Sequence, residues 1–330
     1  VHQMKILVIT FSYYPIQNPR SFRWTAICEH LAKEGHEMCV VASRIEGGKH
    51  KENHNGVMVY RVGNVFFRRV KKWLEQKTKP ASTCPCAVKP GGRDSFVRRY
   101  FVWLNKVFRV VYDWTWAKIY WPDAFFYWIL PAVSCTRKLL SRESYDAIIS
   151  VSHPFSDHIV GLLIKRKFET VTWLVDCGDP FSLLEGLYVN NRFLYRRANR
   201  WIEKTVFESA NCVTFTAYEA LGAHSKVFNQ SAEKFFIVPP LYNRDLVNNM
   251  RLGVVDGRAD NKNKIVVTFL GILYKDIRNP RPILEVLRYA FHHDDGLKKI
   301  IELHFVGPTE VIRANLKWKQ QTRNFSFLHR

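Results

Sequence analysis

An α/β fold with two Rossmann-like domains, each on a parallel sheet, is what this sequence predicts, with the second domain cut short. Three observations lead there. Short apolar runs alternate with segments of helical spacing from Lys5 onward and again from Tyr145, the order that makes parallel βαβ units. Gly35, Gly271 and Gly307 stand where such segments close. A polar, irregular stretch from Arg244 to Lys264 separates a long first series from a shorter second one.

The elements follow in order. Lys5–Phe11 is a buried first strand that runs into a Tyr-Tyr-Pro turn, and its apolar core is too short for a signal-peptide h-region. Arg20–Glu34 has helical spacing, with Phe22, Ile27, Leu31 and Ala32 as the apolar stripe and Gly35 at the C-cap. Glu37–Ala42 and Gly56–Val62 read as strands. Asn64 to Val110 breaks the pattern: it is strongly basic, opposed by Glu75 and Asp94, with a Pro-, Gly- and Cys-rich middle between two amphipathic basic helices. Alternation then resumes with strand 146–151, helix 156–167, strand 170–176, helix 191–209, strand 212–216, helix 219–228 and strand 235–238. The second series has strand 265–270, helix 282–291, strand 300–306, helix 309–319 and strand 325–328. The expected domains are therefore 1–243, carrying an insertion at about 64–130, a linker at 244–263, and 264–330 as half of a second domain. Half a sheet leaves an open edge, so the chain reads as truncated.

Composition narrows the function. Hydrophobic residues make up 47% of the 330, enough for real cores rather than disorder. The net charge of +21 with 14% aromatic residues allows an anionic partner: nucleic acid, an anionic membrane surface or a phosphorylated substrate. No helix-turn-helix, RNP or zinc pattern supports nucleic acid. The seven cysteines are irregularly spaced, and Cys84-Pro-Cys86 has no second pair to complete a zinc site, so free thiols in a reducing cytoplasm are expected. No run is long and apolar enough to span a bilayer. Arg68, Arg69, Lys71, Lys72 and Trp73, then Arg98, Arg99 and Trp103, interleave charge with aromatic rings. That pattern suits contact with a membrane surface and its lipid-borne acceptor; a solvated basic loop is the alternative.

Residues along the chain carry a family resemblance. They are Met4–Thr10, Tyr14-Pro15, Arg23 and Leu31–Glu37 (L-A-K-E-G-H-E); Trp121-Pro122-Asp123; Ser152–Ser156; Asp176–Ser182 (D-C-G-D-P-F-S); Glu203; Ile237–Asn243; and Phe269-Leu270-Gly271. In this order the chain resembles a family 4 glycosyltransferase of the GT-B type, in the subgroup with a D-F-R-D-P-W segment. Gly178 stands where that subgroup has Arg, and the chain ends before the family's E-x7-E segment.

The resemblance implies transfer of a sugar from a nucleotide-sugar donor to a polyprenyl-linked or glycan acceptor, with retention of configuration. It places the enzyme in surface polysaccharide assembly (lipopolysaccharide, capsule or exopolysaccharide), on the cytoplasmic face of the membrane, without a cofactor or metal. A truncated, non-catalytic relative that docks on membranes or partner enzymes is the alternative.

Such chemistry needs a proton acceptor, a cation for the departing diphosphate and polar groups at the C-terminal strand ends. His153 is a candidate base, with a turn role as the alternative. Asp176 and Asp179 are candidate bases or acceptor ligands, with helix capping as the alternative. Arg20 and Arg23, at a helix start, suit phosphate, as do Gly271, Lys275 and Arg278 in the second domain. His292-His293 with Asp294-Asp295 reads as a solvated loop rather than a metal site.

Overall fold

The computed structural model of the chain describes residues 2–63, 120–183, 189–228, 232–240, 264–271, 279–306 and 325–328. The chain divides into two compact units, Val1–Arg244 and Asp245–Arg330. The expected basic helices between Asn64 and Val110, the expected helix 309–319, and the expected site residues Arg68, Arg69, Lys71, Lys72, Trp73, Arg98, Arg99, Trp103, Lys275 and Arg278 lie outside the described residues.

In the first unit the strands are β1 (Lys5–Ile9), β2 (Glu37–Ser43), β3 (Lys51–His54), β4 (Val57–Val62), β5 (Ala147–Val151), β6 (Thr172–Cys177), β7 (Cys212–Phe215) and β8 (Phe235–Ile237). The helices are α1 (Pro19–Lys33), α2 (Ile129–Leu140), α3 (Ser156–Lys165), α4 (Arg192–Ser209) and α5 (Tyr218–Phe228), with a 3-10 turn at Phe126–Trp128 leading into α2. One sheet runs β3-β4-β2-β1-β5-β6-β7-β8. It is parallel except where β3 pairs with β4.

Burial on both faces explains the near-continuous apolar runs of the central strands. Along β1, Leu7 and Ile9 enter one core with Val41, Ile148 and Val175. Ile6 and Val8 enter the other with Val40, Trp24 and Cys28, as the two-residue period of a strand requires. On α1, Asn18 caps the start by accepting from Ser21 N at 2.8 Å, Pro19 fills the first turn, and Gly35 closes the end at φ +93°. The buried face of α1 is Ser21, Arg23, Trp24 and Cys28, and Phe22, expected on the apolar stripe, is exposed. The helix is turned this way because Arg23 and Trp24 both reach buried Asp176.

The hairpin β3–β4 was not expected from the sequence. Asn55 at φ +50° and Gly56 at φ +85° make its two-residue turn, and its outer strand is the polar Lys-Glu-Asn-His, suited to a sheet edge.

The second unit contains β9 (Ile265–Leu270), α6 (Arg281–His293), α7 (Asp295–Ile300), β10 (Ile301–Val306) and β11 (Phe325–Leu328). Its sheet, β11-β10-β9, is parallel. Leu284, Leu303 and Phe305 form its core, with Phe269 and Leu287 packed against them. Asp294 caps α7 through Gly296 N at 2.7 Å and Asp295 pairs with Lys298, so this acidic pair has structural work. Among the described residues no helix is long and apolar enough to cross a membrane, and Cys28, Cys39, Cys135, Cys177 and Cys212 are free thiols.

In the first sheet β1 is followed outward on one side by β2 and on the other by β5. The loops after β1 and β5 therefore diverge, leaving a crevice at the carboxyl ends of the strands, where open α/β sheets bind ligands.

Candidate functional site at the strand ends

Among the described residues, the sequence-predicted Arg20, Arg23, His153, Asp176 and Asp179 of the first unit lie at or beneath this edge. Arg20, the second residue of α1, donates to Asp179 in the loop after β6 at 2.6 Å. Asp179 is 65% exposed and Arg20 17%, so the pair forms an accessible rim. Ser152, one residue past β5, accepts from Gly178 N at 3.0 Å, and Thr216, one residue past β7, donates to Gly178 O at 2.9 Å. These two bonds pin the residue before Asp179 next to the residue before His153. His153 is exposed, its ring edge-on to Phe125 at 6.3 Å.

Gly178 is needed for a steric reason. A Cβ there would come within 1.7 Å of Arg20 Nη1. The guanidinium thus occupies the space that a side chain at 178 would fill. Because the obstacle is the tip of a flexible side chain, Gly178→Ala should fold with little change in thermal midpoint while displacing Arg20 from Asp179. We expect anion binding at the rim to weaken about tenfold, the order of one charge-assisted contact, read by titration with pyrophosphate. Unchanged binding would show that Arg20 does not need this seat.

Beneath the rim lies a buried layer. Asp176 accepts from Trp24 Nε1 at 2.8 Å and Thr214 Oγ1 at 2.8 Å. It also pairs with Arg23 at 3.3 Å. Arg23 and Asp176 are almost fully buried, and Arg23 also donates to Val238 O at 3.2 Å. This layer ties α1 to the ends of β6, β7 and β8. Asp176, expected as a candidate base, presents no exposed surface to a substrate, and Arg23 is placed to neutralise it rather than to meet solvent phosphate.

Glu203 of α4 holds the loop that follows Asp179. Its carboxylate accepts from Phe181 N and Ser182 N, both at 3.0 Å, and from Ser182 Oγ. Cys177, Glu203 and His224 bring one potential metal-ligand atom each within 4.8 Å of one another, all buried. The glutamate oxygens are already engaged with the loop, and His224 Nδ1 contacts Ala220 O at 2.6 Å; the cluster acts as a hydrogen-bonded clamp. Asp123 likewise accepts from Ser156 N and Ser156 Oγ at 2.8 Å, capping α3. Asp157 accepts from Phe11 N at 2.7 Å and Trp128 Nε1 at 2.6 Å; desolvation pushes its carboxyl well above the usual range.

His158, fully buried, meets Ser150 Oγ at 2.8 Å through Nδ1. Burial, with the nearby Arg20 charge, pushes its imidazole down to about 3. An unfolded histidine takes its proton near 6.5, so between the two values the unfolded chain binds more protons and stability falls as pH drops. The slope is about 1.4 kcal/mol per pH unit below 6.5. His158→Gln should lose this slope, seen as urea midpoints at pH 7, 6 and 5 that converge with wild type on acidification. Parallel midpoints would show that His158 does not carry it.

In the second unit Gly271 ends β9 at φ +144° and donates to Val306 O at 2.9 Å. A side chain would be strained in that conformation.

Sequence reasoning missed Thr216, and it named Ser152 and Glu203 only as residues of the resemblance, without their hydrogen bonds to the loop after β6. Position was the available signal, since Ser152 and Thr216 each stand one residue past a strand end.

No family model matches this chain, and no curated protein sequence matches it significantly. Solved structures do. An alpha,alpha-trehalose 6-phosphate synthase from Burkholderia multivorans is similar at TM-score 0.57 and 10% identity, over 100% of this chain and 74% of that one. An alpha,alpha-trehalose-phosphate synthase (UDP-forming) from Burkholderia vietnamiensis is similar at TM-score 0.56 and 10% identity, over 100% and 72%. The chain therefore has the α/β, Rossmann-like fold of GT-B enzymes.

Proposed function

We propose that the protein is a glycosyltransferase that moves a sugar from a nucleotide-sugar donor to a polyprenyl-linked or glycan acceptor in surface polysaccharide assembly. The observation that carries this reading is the rim itself. An exposed carboxylate paired with a guanidinium follows β6 and an exposed imidazole follows β5, neighbouring strands beside the point where the sheet's winding reverses, on a fold shared with a UDP-forming synthase.

In the transfer, the acceptor oxygen bonds to the sugar's anomeric carbon as that carbon's bond to the diphosphate breaks. The hydroxyl proton passes to His153, and Asp179 orients the hydroxyl. Arg20, drawn from Asp179, meets the negative charge growing on the leaving diphosphate. Gly271, Lys275 and Arg278 are assigned to the donor phosphates. Arg68, Arg69, Lys71, Lys72, Trp73, Arg98, Arg99 and Trp103 are assigned to the membrane and acceptor. The reaction uses no cofactor, metal or nucleic acid, retains configuration, and takes place at the inner face of the cytoplasmic membrane.

The test is a panel of nucleotide sugars offered with polyprenyl-linked and free glycan acceptors, read as acceptor-dependent release of nucleoside diphosphate. Release with one donor supports the reading. Absence of release with every donor, in protein that is folded by circular dichroism, favours the non-catalytic relative.

A further inference from the structure

Helix α4 carries a surface that the site does not use. Asn199, Ile202, Glu203, Val206 and Phe207 point into the protein. The opposite face exposes Phe193 at 95%, Leu194 at 56% and Trp201 at 60%, with Arg196, Arg197, Arg200 and Lys204 exposed beside them. At 3.6 residues per turn these seven residues fall within an arc of about 160° and a length of about 17 Å. Within that arc, Glu208 is the acidic residue, and it pairs with Lys204 at 3.5 Å.

Large apolar groups standing in water at 56–95% exposure beside four cations match one environment closely. Anionic headgroups satisfy the arginines, while the acyl boundary takes Phe, Leu and Trp. Leu194 offers nothing to a nucleic-acid base, which binds by stacking on aromatic or guanidinium planes.

The position of the face is also fixed by topology. α4 follows β6 through the loop bearing Asp179, so its N-terminal end, with Phe193 and Leu194, begins on the carboxyl-end side of the sheet, the side of the candidate site.

We infer that the exposed face of α4 docks the protein on an anionic lipid surface, and that it does so at the end of the sheet that holds the site. The binding itself stands on the helix surface; its use in reaching a lipid-linked acceptor rests on the proposed function.

The experiment is co-sedimentation of the full chain with vesicles of phosphatidylcholine alone or with about one-third phosphatidylglycerol. Each interfacial Lys or Arg contributes about fivefold in partitioning. The triple variant Arg196→Gln, Arg197→Gln, Arg200→Gln should therefore lose at least about tenfold in binding to the anionic vesicles. Phe193→Ser with Trp201→Ser should lose a similar factor in low salt, where charge alone is strongest. All five positions are exposed, and circular dichroism confirms that each variant is folded.

Binding by both variants within twofold of wild type overturns the inference, as does wild type that ignores anionic vesicles. A self-associating species that these substitutions dissociate, or nucleic-acid binding that they abolish without any vesicle binding, assigns the face elsewhere and also overturns it. Nucleoside diphosphate release with a water-soluble acceptor separates the two claims. Release that persists while both α4 variants bind vesicles like wild type removes this inference alone, and vesicle binding that the variants lose, without release, removes the function reading alone.

Discussion

Asp176→Ala should destabilise the first unit by about 3–5 kcal/mol, the cost of stranding one member of a buried ion pair. The carboxylate is fully buried and faces Arg23, which is 5% exposed. Its removal leaves that guanidinium uncompensated, and Arg23 Nε already has no hydrogen-bond partner among the described residues. Trp24 Nε1 and Thr214 Oγ1 lose their acceptor as well. The loss should show as a lowered urea midpoint, with the slope of the transition unchanged if the denatured state is unaffected.

The double variant Arg23→Met with Asp176→Leu should recover much of that loss, because removing both charges also removes the desolvation penalty. A structural anchor and a catalytic base differ in outcome here. An anchor lowers the midpoint with little separate effect on the chemistry of the protein that remains folded; a base abolishes turnover at full stability. The geometry predicts the first, and an Asp176→Ala protein of wild-type stability without turnover would contradict it.

Arg20→Ala should lower kcat/KM by about 10²–10³-fold, the range for removing one preorganised donor to a developing anion. Arg20 is the cation at the rim, held by Asp179 at 2.6 Å and seated against Gly178. Its pairing is mostly solvent-facing on the Asp179 side, so the stability change should stay within about 1 kcal/mol. Loss concentrated in kcat would place the arginine on the transition state, and loss confined to KM would place it on uniform substrate binding. Arg20→Lys should restore part of the rate but not all, since an ammonium keeps the charge and loses the forked geometry.

Much of the fold was legible because local signals agreed. β1, β2 and β5 are apolar runs bounded by turns, and Gly35 marks the end of α1. The outer strand of the hairpin was not legible, because Lys-Glu-Asn-His has no apolar alternation; its turn, Asn55-Gly56, was the readable part. Ile27, Leu31 and Ala32 of the expected α1 stripe do pack against the core, and Phe22 alone was misplaced. An apolar stripe counts Phe22, but a buried charge pair can outrank an apolar contact in setting which side turns inward.

At the site, residue types and their place after strands were legible. Their partnerships were not. Arg20 and Asp179 are 159 positions apart in sequence, and Arg23 and Asp176 are 153 apart. No local pattern shows that one pair is open to solvent and the other sealed. Gly178 taking the space beside a guanidinium from another element is equally invisible until the chain is folded.

If the strand-end rim transfers a sugar from a nucleotide donor, turnover must depend on Arg20. The most direct test is steady-state release of nucleoside diphosphate by wild type and Arg20→Ala across the donor panel, with and without acceptor. Wild type should show acceptor-dependent release from at least one nucleotide sugar, reduced about 10²–10³-fold in Arg20→Ala at nearly unchanged thermal midpoint. Equal rates in the two proteins, or no release from any donor by folded wild type, would contradict transfer at the rim.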